Sequence, residues 1–133
     1  MSPTILSVDD EQDVTDLVSF HLRKAGYEVL TAADGRQALE VIQRRRPDLV
    51  ILDLMLPDID GFGVCEILRR QAATATIPII ILTAWATTDA KSLGLELGAL
   101  DYLTKPFSPK QLVERVRHLL DLRPTPPAPP RPA

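Results

Sequence analysis

The sequence reads LVILDLMLPDIDG from residue 49 to residue 61. Its first four residues, Leu49–Leu52, are apolar without a break, and the run ends at Asp53. A strand with one face in water would alternate apolar and polar residues, so an unbroken apolar run of this length predicts a strand buried on both faces. Such strands belong to parallel sheets covered by helices on both sides. The stretch therefore favours an α/β architecture.

Strand-like and helix-like patterns alternate along the rest of the chain. We predict strands at Thr4–Val8, Glu28–Ala32, Leu49–Leu52, Ile77–Leu82 and Leu100–Leu103. Between and after them we predict helices at Asp13–Lys24, Arg36–Arg46, Phe62–Arg70, Thr87–Leu97 and Ser108–Leu122. Strict alternation of this kind is typical of a doubly wound α/β fold with a parallel sheet.

Composition excludes several classes of protein. A chain of 133 residues with 45% hydrophobic and 25% charged residues has the size and make-up of one globular domain. The net charge of −3 gives no basic excess for nucleic acid or an anionic membrane. The apolar runs are too short for a membrane span or a secretory signal. The single cysteine, Cys65, excludes an internal disulfide, and we expect it to be buried. We therefore expect a cytoplasmic protein.

The two ends of the chain differ in composition. Residues 1–122 read as the folded domain, whereas residues 123–133, RPTPPAPPRPA, hold six of the twelve prolines. Proline lacks a backbone donor and does not fit a helix interior or a central strand. We interpret this segment as a Pro-rich tail or linker, with a ligand for a partner's groove as the alternative.

Charged and hydroxyl side chains follow four of the five predicted strands. Asp9 and Asp10 come after the first strand, Asp53 after the third, Thr83 after the fourth and Lys105 after the fifth. The carboxyl ends of parallel strands share one edge of the sheet, which is where doubly wound folds bind ligands. We therefore expect three carboxylates, a hydroxyl and an ammonium to converge there.

This set of groups suits phosphoryl chemistry. Neighbouring carboxylates repel each other, and a hard divalent cation such as Mg²⁺ relieves that repulsion. Carboxylates are established nucleophiles for phosphoryl groups. A cation and Lys105 beside Asp53 would neutralise charge on the group being transferred. Each residue alone could equally be a helix cap or a loop residue, so the prediction depends on their joint placement.

Four motifs resemble a known family. They are VDDE (residues 8–11), LDLMLPDIDG (52–61), ILTA (81–84) and DYLTKPF (101–107). In this order and spacing the chain, over roughly residues 4–122, is similar to the receiver domains of two-component response regulators. The resemblance implies a flavodoxin-like (βα)5 fold with a five-stranded parallel sheet in the order 2-1-3-4-5.

The resemblance also implies roles for individual residues. Asp53 would be the phosphoacceptor, acting with Thr83 and Lys105. The ligands of Mg²⁺, for which Mn²⁺ is an expected substitute, would be Asp9, Asp10, Asp53 and the backbone carbonyl of Met55. Thr83 and Tyr102 would form the switch that responds to phosphorylation, and Pro106 would follow a cis peptide bond.

The resemblance is strongest to receivers of the subgroup with winged-helix outputs. It implies phosphorylation by a histidine kinase or phosphotransfer protein, and a downstream effector protein or a C-terminal output domain outside this chain. It further implies a phosphorylation-dependent homodimer through the fourth helix, fifth strand and fifth helix. Leu97, Leu100 and Gln111 stand where that subgroup usually carries charged residues, so an apolar patch for a different partner is the alternative. Neither nucleic acid nor membrane is an expected partner of this chain itself.

Two other functions compete with a signalling receiver, which would catalyse only its own phosphoryl transfer and dephosphorylation. The first is a small aspartate-based phosphatase or phosphotransferase acting on external substrates, although the sequence has no long insertion to build a substrate pocket. The second is a flavodoxin-like cofactor binder. The acidic strand ends argue against it, because they would repel the phosphate of a flavin nucleotide.

Overall fold

A computed structural model describes residues 2–122. The strands are β1 (Thr4–Val8), β2 (Glu28–Ala32), β3 (Leu49–Leu52), β4 (Ile79–Thr83) and β5 (Asp101–Thr104). The helices are α1 (Gln12–Lys24), α2 (Gly35–Arg45), α3 (Gly61–Arg70), α4 (Thr88–Glu96) and α5 (Pro109–Asp121). All strand pairs are parallel and the sheet order is β2-β1-β3-β4-β5. The predicted flavodoxin-like fold and strand order are confirmed.

The strand order creates a crevice at the carboxyl edge of the sheet. Strand β1 pairs with β2 on one side and with β3 on the other. The winding of the chain therefore reverses between β1 and β3, and in such sheets the ligand crevice opens at the reversal. Asp9 follows β1 and Asp53 follows β3, so the fold places both aspartates at this point.

Hydrophobic side chains pack on both faces of the sheet. Leu49 and Ile51 of β3 belong to one core cluster together with residues of α1 and α5. Val50 and Leu52 belong to a second cluster with residues of α2 and α3. All four side chains are buried, because successive residues of a strand point to opposite faces and both faces are covered here. This confirms the interpretation of the unbroken apolar run.

The ends of several elements differ from the predicted ones by one or two residues. Strand β4 begins at Ile79 rather than Ile77. Ile77 donates its N–H to Thr74 in a turn, and Pro78 has no N–H to donate. Helices α2 and α3 begin one residue earlier than predicted. The reason is that the side chains of Asp34 and Asp60, just before them, cap the helix N-termini.

The Cys65 side chain is fully buried in the core, as predicted, and burial raises the pKa of its thiol to about 11. The predicted Pro-rich tail at residues 123–133 lies outside the described residues. Within residues 2–122, every helix is too short or too polar to cross a membrane.

Arg69 connects three segments near the end of α3. Its Nη1 donates to the carbonyl oxygens of Ala75 at 2.7 Å and Ile77 at 3.1 Å, and its Nη2 donates to that of Gly98 at 2.5 Å. These carbonyls lie in the α3–β4 loop and in the turn between α4 and β5. Hydrogen bonds from a charged donor in a partly buried site are among the stronger ones in proteins.

We expect Arg69→Met to lower the free energy of unfolding by about 2 kcal/mol, because three carbonyl oxygens lose a charged donor at once. Urea denaturation would measure the change. Arg70→Met is the matched control. Arg70 contacts Glu66 at 2.5 Å on the surface, where their side chains are 74% and 49% exposed, and such pairs contribute about 0.5 kcal/mol or less. Equal losses of stability in the two variants would contradict a stabilising role for the three Arg69 hydrogen bonds.

Candidate functional site

Two aspartates are buried where the sheet order reverses. Asp9 is 4% exposed and Asp53 is 3% exposed. Their backbones extend the sheet hydrogen bonding by one residue, since Asp9 donates its N–H to Ala32 and Asp53 donates to Val8. The backbone therefore holds both aspartates in place, and their side chains reach the crevice from neighbouring strands.

Lys105 joins these two carboxylates. Its Nζ lies 2.7 Å from Asp9 Oδ2 and 3.0 Å from Asp53 Oδ2, and the lysine side chain is only 12% exposed. A longer contact of 3.4 Å reaches Glu11 Oε1 on the exposed side. The backbone N–H of Lys105 donates to the Thr83 carbonyl at 2.8 Å, which ties the lysine to the end of β4. The Lys105–Pro106 peptide bond, for which the family resemblance implies the cis form, is cis.

Each buried carboxylate uses its other oxygen to orient the loop that follows it. Asp9 Oδ1 accepts the N–H of Glu11 at 2.9 Å, and Asp53 Oδ1 accepts the N–H of Met55 at 3.1 Å. Both side chains are therefore held at two points. The arrangement is preorganised, because both carboxylates are already held in place and do not have to be ordered before they act.

The site has more negative than positive charge. Burial raises the pKa of Asp9, and the charge of Asp53 adds to the effect, while hydrogen bonds from Lys105 and the Glu11 N–H oppose it. Burial by itself would lower the pKa of Lys105, but hydrogen bonds and charge interactions with Asp9 and Asp53 outweigh it, so the lysine pKa is raised. One ammonium thus stays charged but cannot fully compensate two buried carboxylates.

Four acidic side chains could share a metal ion here. Asp9, Asp10, Glu11 and Asp53 each offer one carboxylate oxygen, and these oxygens all lie within 4.8 Å of one another. Asp10 and Glu11 are exposed and border the crevice. Glu11 was not among the predicted ligands, although its position directly after Asp9 and Asp10 was a signal for it. An all-oxygen set of this kind suits Mg²⁺, Ca²⁺ or Mn²⁺ better than softer metals.

Thr83, Trp85 and Tyr102 form a second group beside the carboxylates. Thr83 is buried at the end of β4, and its Oγ1 accepts the Trp85 N–H at 3.3 Å. The Tyr102 hydroxyl donates to the Trp85 carbonyl, and the tyrosine is buried. The Trp85 ring packs edge-on against Phe62, with ring centroids 5.7 Å apart. The sequence resemblance pointed to the threonine and the tyrosine, but not to their connection through the Trp85 backbone.

The predicted residues are thus found in two groups. Asp9, Asp53 and Lys105 are in direct contact, and Asp10 belongs to the same acidic cluster. Thr83 and Tyr102 are linked through the backbone of Trp85. The Met55 side chain is 61% exposed, and it lines a cavity of about 330 Å³ together with Ala84 and Trp85.

A doubly wound parallel sheet that presents clustered carboxylates and one lysine at its carboxyl edge defines a class of α/β signalling domains. The chain belongs to the response regulator receiver domain family, whose model matches residues 5–117. The resemblance inferred from the four sequence motifs is confirmed.

Comparisons with curated proteins and solved structures agree with this membership. The chain is 48% identical over 120 residues to the Bacillus subtilis alkaline phosphatase synthesis transcriptional regulatory protein PhoP, covering 90% of this chain and 49% of PhoP. It is 49% identical over 117 residues to the Pseudomonas aeruginosa phosphate regulon transcriptional regulatory protein PhoB, covering 88% and 51%. The chain therefore spans about half the length of these relatives.

Solved structures of receiver domains resemble this chain along nearly their whole length. A crystal structure of a putative response regulator from Chloroflexus aurantiacus has a TM-score of 0.87 and 45% identity, covering 91% of this chain and 99% of that one. The BeF3-activated N-terminal receiver domain of Klebsiella pneumoniae RstA has a TM-score of 0.82 and 39% identity, covering 88% and 97%.

Proposed function

We propose that this chain is a phosphoacceptor receiver of a two-component or phosphorelay system and that it accepts the phosphoryl group on Asp53. The observation that carries the proposal is the position of the Asp53 carboxylate. It is buried at the end of β3, lies 3.0 Å from Lys105 Nζ and belongs to a cluster able to hold a metal ion. A carboxylate beside two sources of positive charge is suited to attack a phosphoryl group.

The residues present fit a divalent cation. Two buried carboxylates share a single ammonium, and the pKa of Asp9 is raised, mainly by burial and to a smaller extent by the charge of Asp53. Asp9, Asp10, Asp53 and the backbone carbonyl of Met55 would hold Mg²⁺, with Mn²⁺ as a substitute. When bound, the ion supplies positive charge that stabilises the equatorial oxygens of the transferring phosphoryl group.

The chain's own residues have distinct parts in the transfer. An Asp53 oxygen attacks phosphorus and forms an acyl phosphate, while the bond from phosphorus to the donor's leaving group breaks and its electron pair leaves with that group. Lys105 pairs with the phosphoryl oxygens as a point charge. The backbone bond from Met55 to Asp53 Oδ1 keeps the other carboxylate oxygen in place during the attack.

The group of Thr83, Trp85 and Tyr102 would couple phosphorylation of Asp53 to a change at the protein surface. The Thr83 hydroxyl would donate to the phosphoryl group, and Tyr102 would respond through Trp85, since both side chains bond to the Trp85 backbone. Tyr102 lies on β5, and its ring is close to Gly94 of helix α4. Phosphorylation would thus alter the surface made by α4, β5 and α5.

We infer the partners of the whole protein from its family. The phosphoryl group would come from a histidine kinase or phosphotransfer protein in the cytoplasm. The output would be a downstream effector or a C-terminal domain, since relatives named as transcriptional regulators are about twice as long as this chain. A phosphorylation-dependent homodimer would use the α4–β5–α5 surface. That surface holds an Arg115–Asp101 ion pair at 3.2 Å and the exposed Leu93 and Leu100.

Intact-mass spectrometry tests the proposal. We expect the chain, incubated with acetyl phosphate and Mg²⁺, to gain the mass of one phosphoryl group, and Asp53→Ala to gain none. Asp16→Ala, which removes an exposed carboxylate from α1, is the matched control and should be phosphorylated like the wild type. An adduct that persists in Asp53→Ala, or none in the wild type, would contradict the proposal. Steady turnover of a phosphomonoester would instead support an enzyme acting on external substrates.

A further inference from the structure

The loop between Asp53 and α3 is attached to a neighbouring helix through Asp58. The two carboxylate oxygens of Asp58 accept the first two N–H groups of α2. Oδ1 accepts from Gly35 at 2.8 Å, and Oδ2 accepts from Arg36 at 2.9 Å. The N–H of Arg36 is the largest cause of the lowered pKa of Asp58. A charged acceptor at a helix N-terminus is favoured both by the free N–H groups and by the helix dipole.

These two bonds are additional to the cap that α2 provides for itself. Asp34 Oδ1 accepts the N–H of Gln37 at 2.7 Å, and Gln37 Oε1 accepts the N–H of Ala33 at 2.7 Å. That reciprocal pair is local to the start of the helix. Asp58 is 23 residues away from Gly35 in the chain. Its bonds therefore join two separate segments, whereas those of Asp34 serve one.

The loop and the helix are also in close contact. A Cβ on Gly35 would lie 2.7 Å from the Ile59 carbonyl oxygen and 2.9 Å from Ile59 Cβ. The start of the loop is held by the bond from Met55 N to Asp53 Oδ1, and the bond from Gly61 N to the Leu54 carbonyl joins its two ends. Asp58 holds the part between them, which has no helix or strand hydrogen bonds of its own.

We propose that Asp58 is a positioning residue for the metal site, holding the loop after Asp53 against α2 so that the Met55 backbone carbonyl stays where a divalent cation can bind it. This inference rests on the proposed function. A loop that is not held at its middle samples more conformations. The Met55 carbonyl must then be ordered when the ion binds, which costs free energy. Partners that orient metal ligands from outside the ligand set typically change affinity by about 10–100-fold.

Binding of Mn²⁺ to the full chain, followed by the electron paramagnetic resonance signal of the free ion, tests the inference without requiring phosphorylation. We expect Asp58→Ala to weaken Mn²⁺ binding by about tenfold. Asp58→Asn keeps one acceptor oxygen and should lie between Asp58→Ala and the wild type. It also serves as the test if Asp58→Ala folds poorly.

Asp34→Ala is the matched control, because it removes a carboxylate from the same helix N-terminus without releasing the loop. We expect its Mn²⁺ affinity to stay close to the wild-type value although α2 loses its cap. Equal weakening by Asp34→Ala and Asp58→Ala, or wild-type affinity in both Asp58 variants, would overturn the inference. Failure of the wild type to bind Mn²⁺, or undiminished binding in Asp53→Ala, would instead overturn the proposed metal site and the positioning role with it.

Discussion

Lys105→Met is expected to lower the free energy of unfolding by about 3 kcal/mol in buffer without divalent cations. The lysine contacts Asp9 at 2.7 Å and Asp53 at 3.0 Å, and their side chains are only 3% and 4% exposed. Methionine fills similar space but leaves two buried carboxylates facing each other with no cation between them. Removing one partner of a buried ion pair costs more than the pair contributes, because the remaining charge is desolvated and unpaired. Urea denaturation with a chelator present would measure the loss.

The loss should depend on metal and on pH. Mg²⁺ would replace the missing positive charge, so it should stabilise Lys105→Met more than the wild type. The pKa of Asp9 is already raised in the fold and should rise further in the variant. A group whose pKa is raised on folding favours the folded state at low pH. The deficit should therefore shrink as the pH falls towards the pKa of Asp9.

Lys110→Met controls for the loss of a lysine as such, since Lys110 is exposed in the first turn of α5. Its free energy of unfolding should change by about 0.5 kcal/mol or less. A Lys105→Met loss as small as this, with no added stabilisation by Mg²⁺, would contradict the charge balance inferred for the site.

Gly61→Ala is expected to be destabilising by about 3 kcal/mol, at the upper end for overpacking. A Cβ at this position would lie against the backbone carbonyl oxygen of Asp53 and 2.7 Å from Leu54 Cα. Backbone atoms at the end of a buried strand cannot rotate away as a side chain can, so either α3 or the end of β3 must shift. Because Asp53 would move with β3, phosphorylation by acetyl phosphate should also be slower. Chemical denaturation and the rate of adduct formation would measure the two effects.

Gly63→Ala is the matched control in the same helix. Its Cβ would meet only the Ile59 Cγ2 at 3.0 Å and Asp60 Oδ1 at 3.7 Å, and both are side-chain atoms that can adjust. Alanine is favoured over glycine inside a helix by about 1 kcal/mol. Gly63→Ala should therefore be neutral or stabilising. Similar losses in the two variants would show that close approach to the Asp53 backbone does not explain the glycine at position 61.

Much of the fold was predictable from local sequence signals. The unbroken apolar run at Leu49–Leu52 predicts a strand covered on both faces, and such a strand favours a parallel α/β sheet. Prolines and capping residues mark several of the boundaries, such as the starts of β4, α2 and α3. The error at Ile77 arose because a buried apolar residue lies just before the hydrogen-bonded strand, and hydropathy reports burial and not the backbone partner. The error at Leu100 has another cause, since this leucine precedes β5 and is 58% exposed, so its apolar character indicated neither burial nor the strand boundary.

The sequence by itself determined which side chains stand at the ends of the strands and which family the chain belongs to. Only the tertiary structure decided which of them touch. Lys105 is 52 residues from Asp53 along the chain, and their contact depends on strand order and register, which are properties of the whole sheet. The link from Asp58 to α2 and that from Trp85 to Tyr102 were likewise not predictable. Each joins a loop to a distant segment, and no local pattern of residues encodes such a pairing.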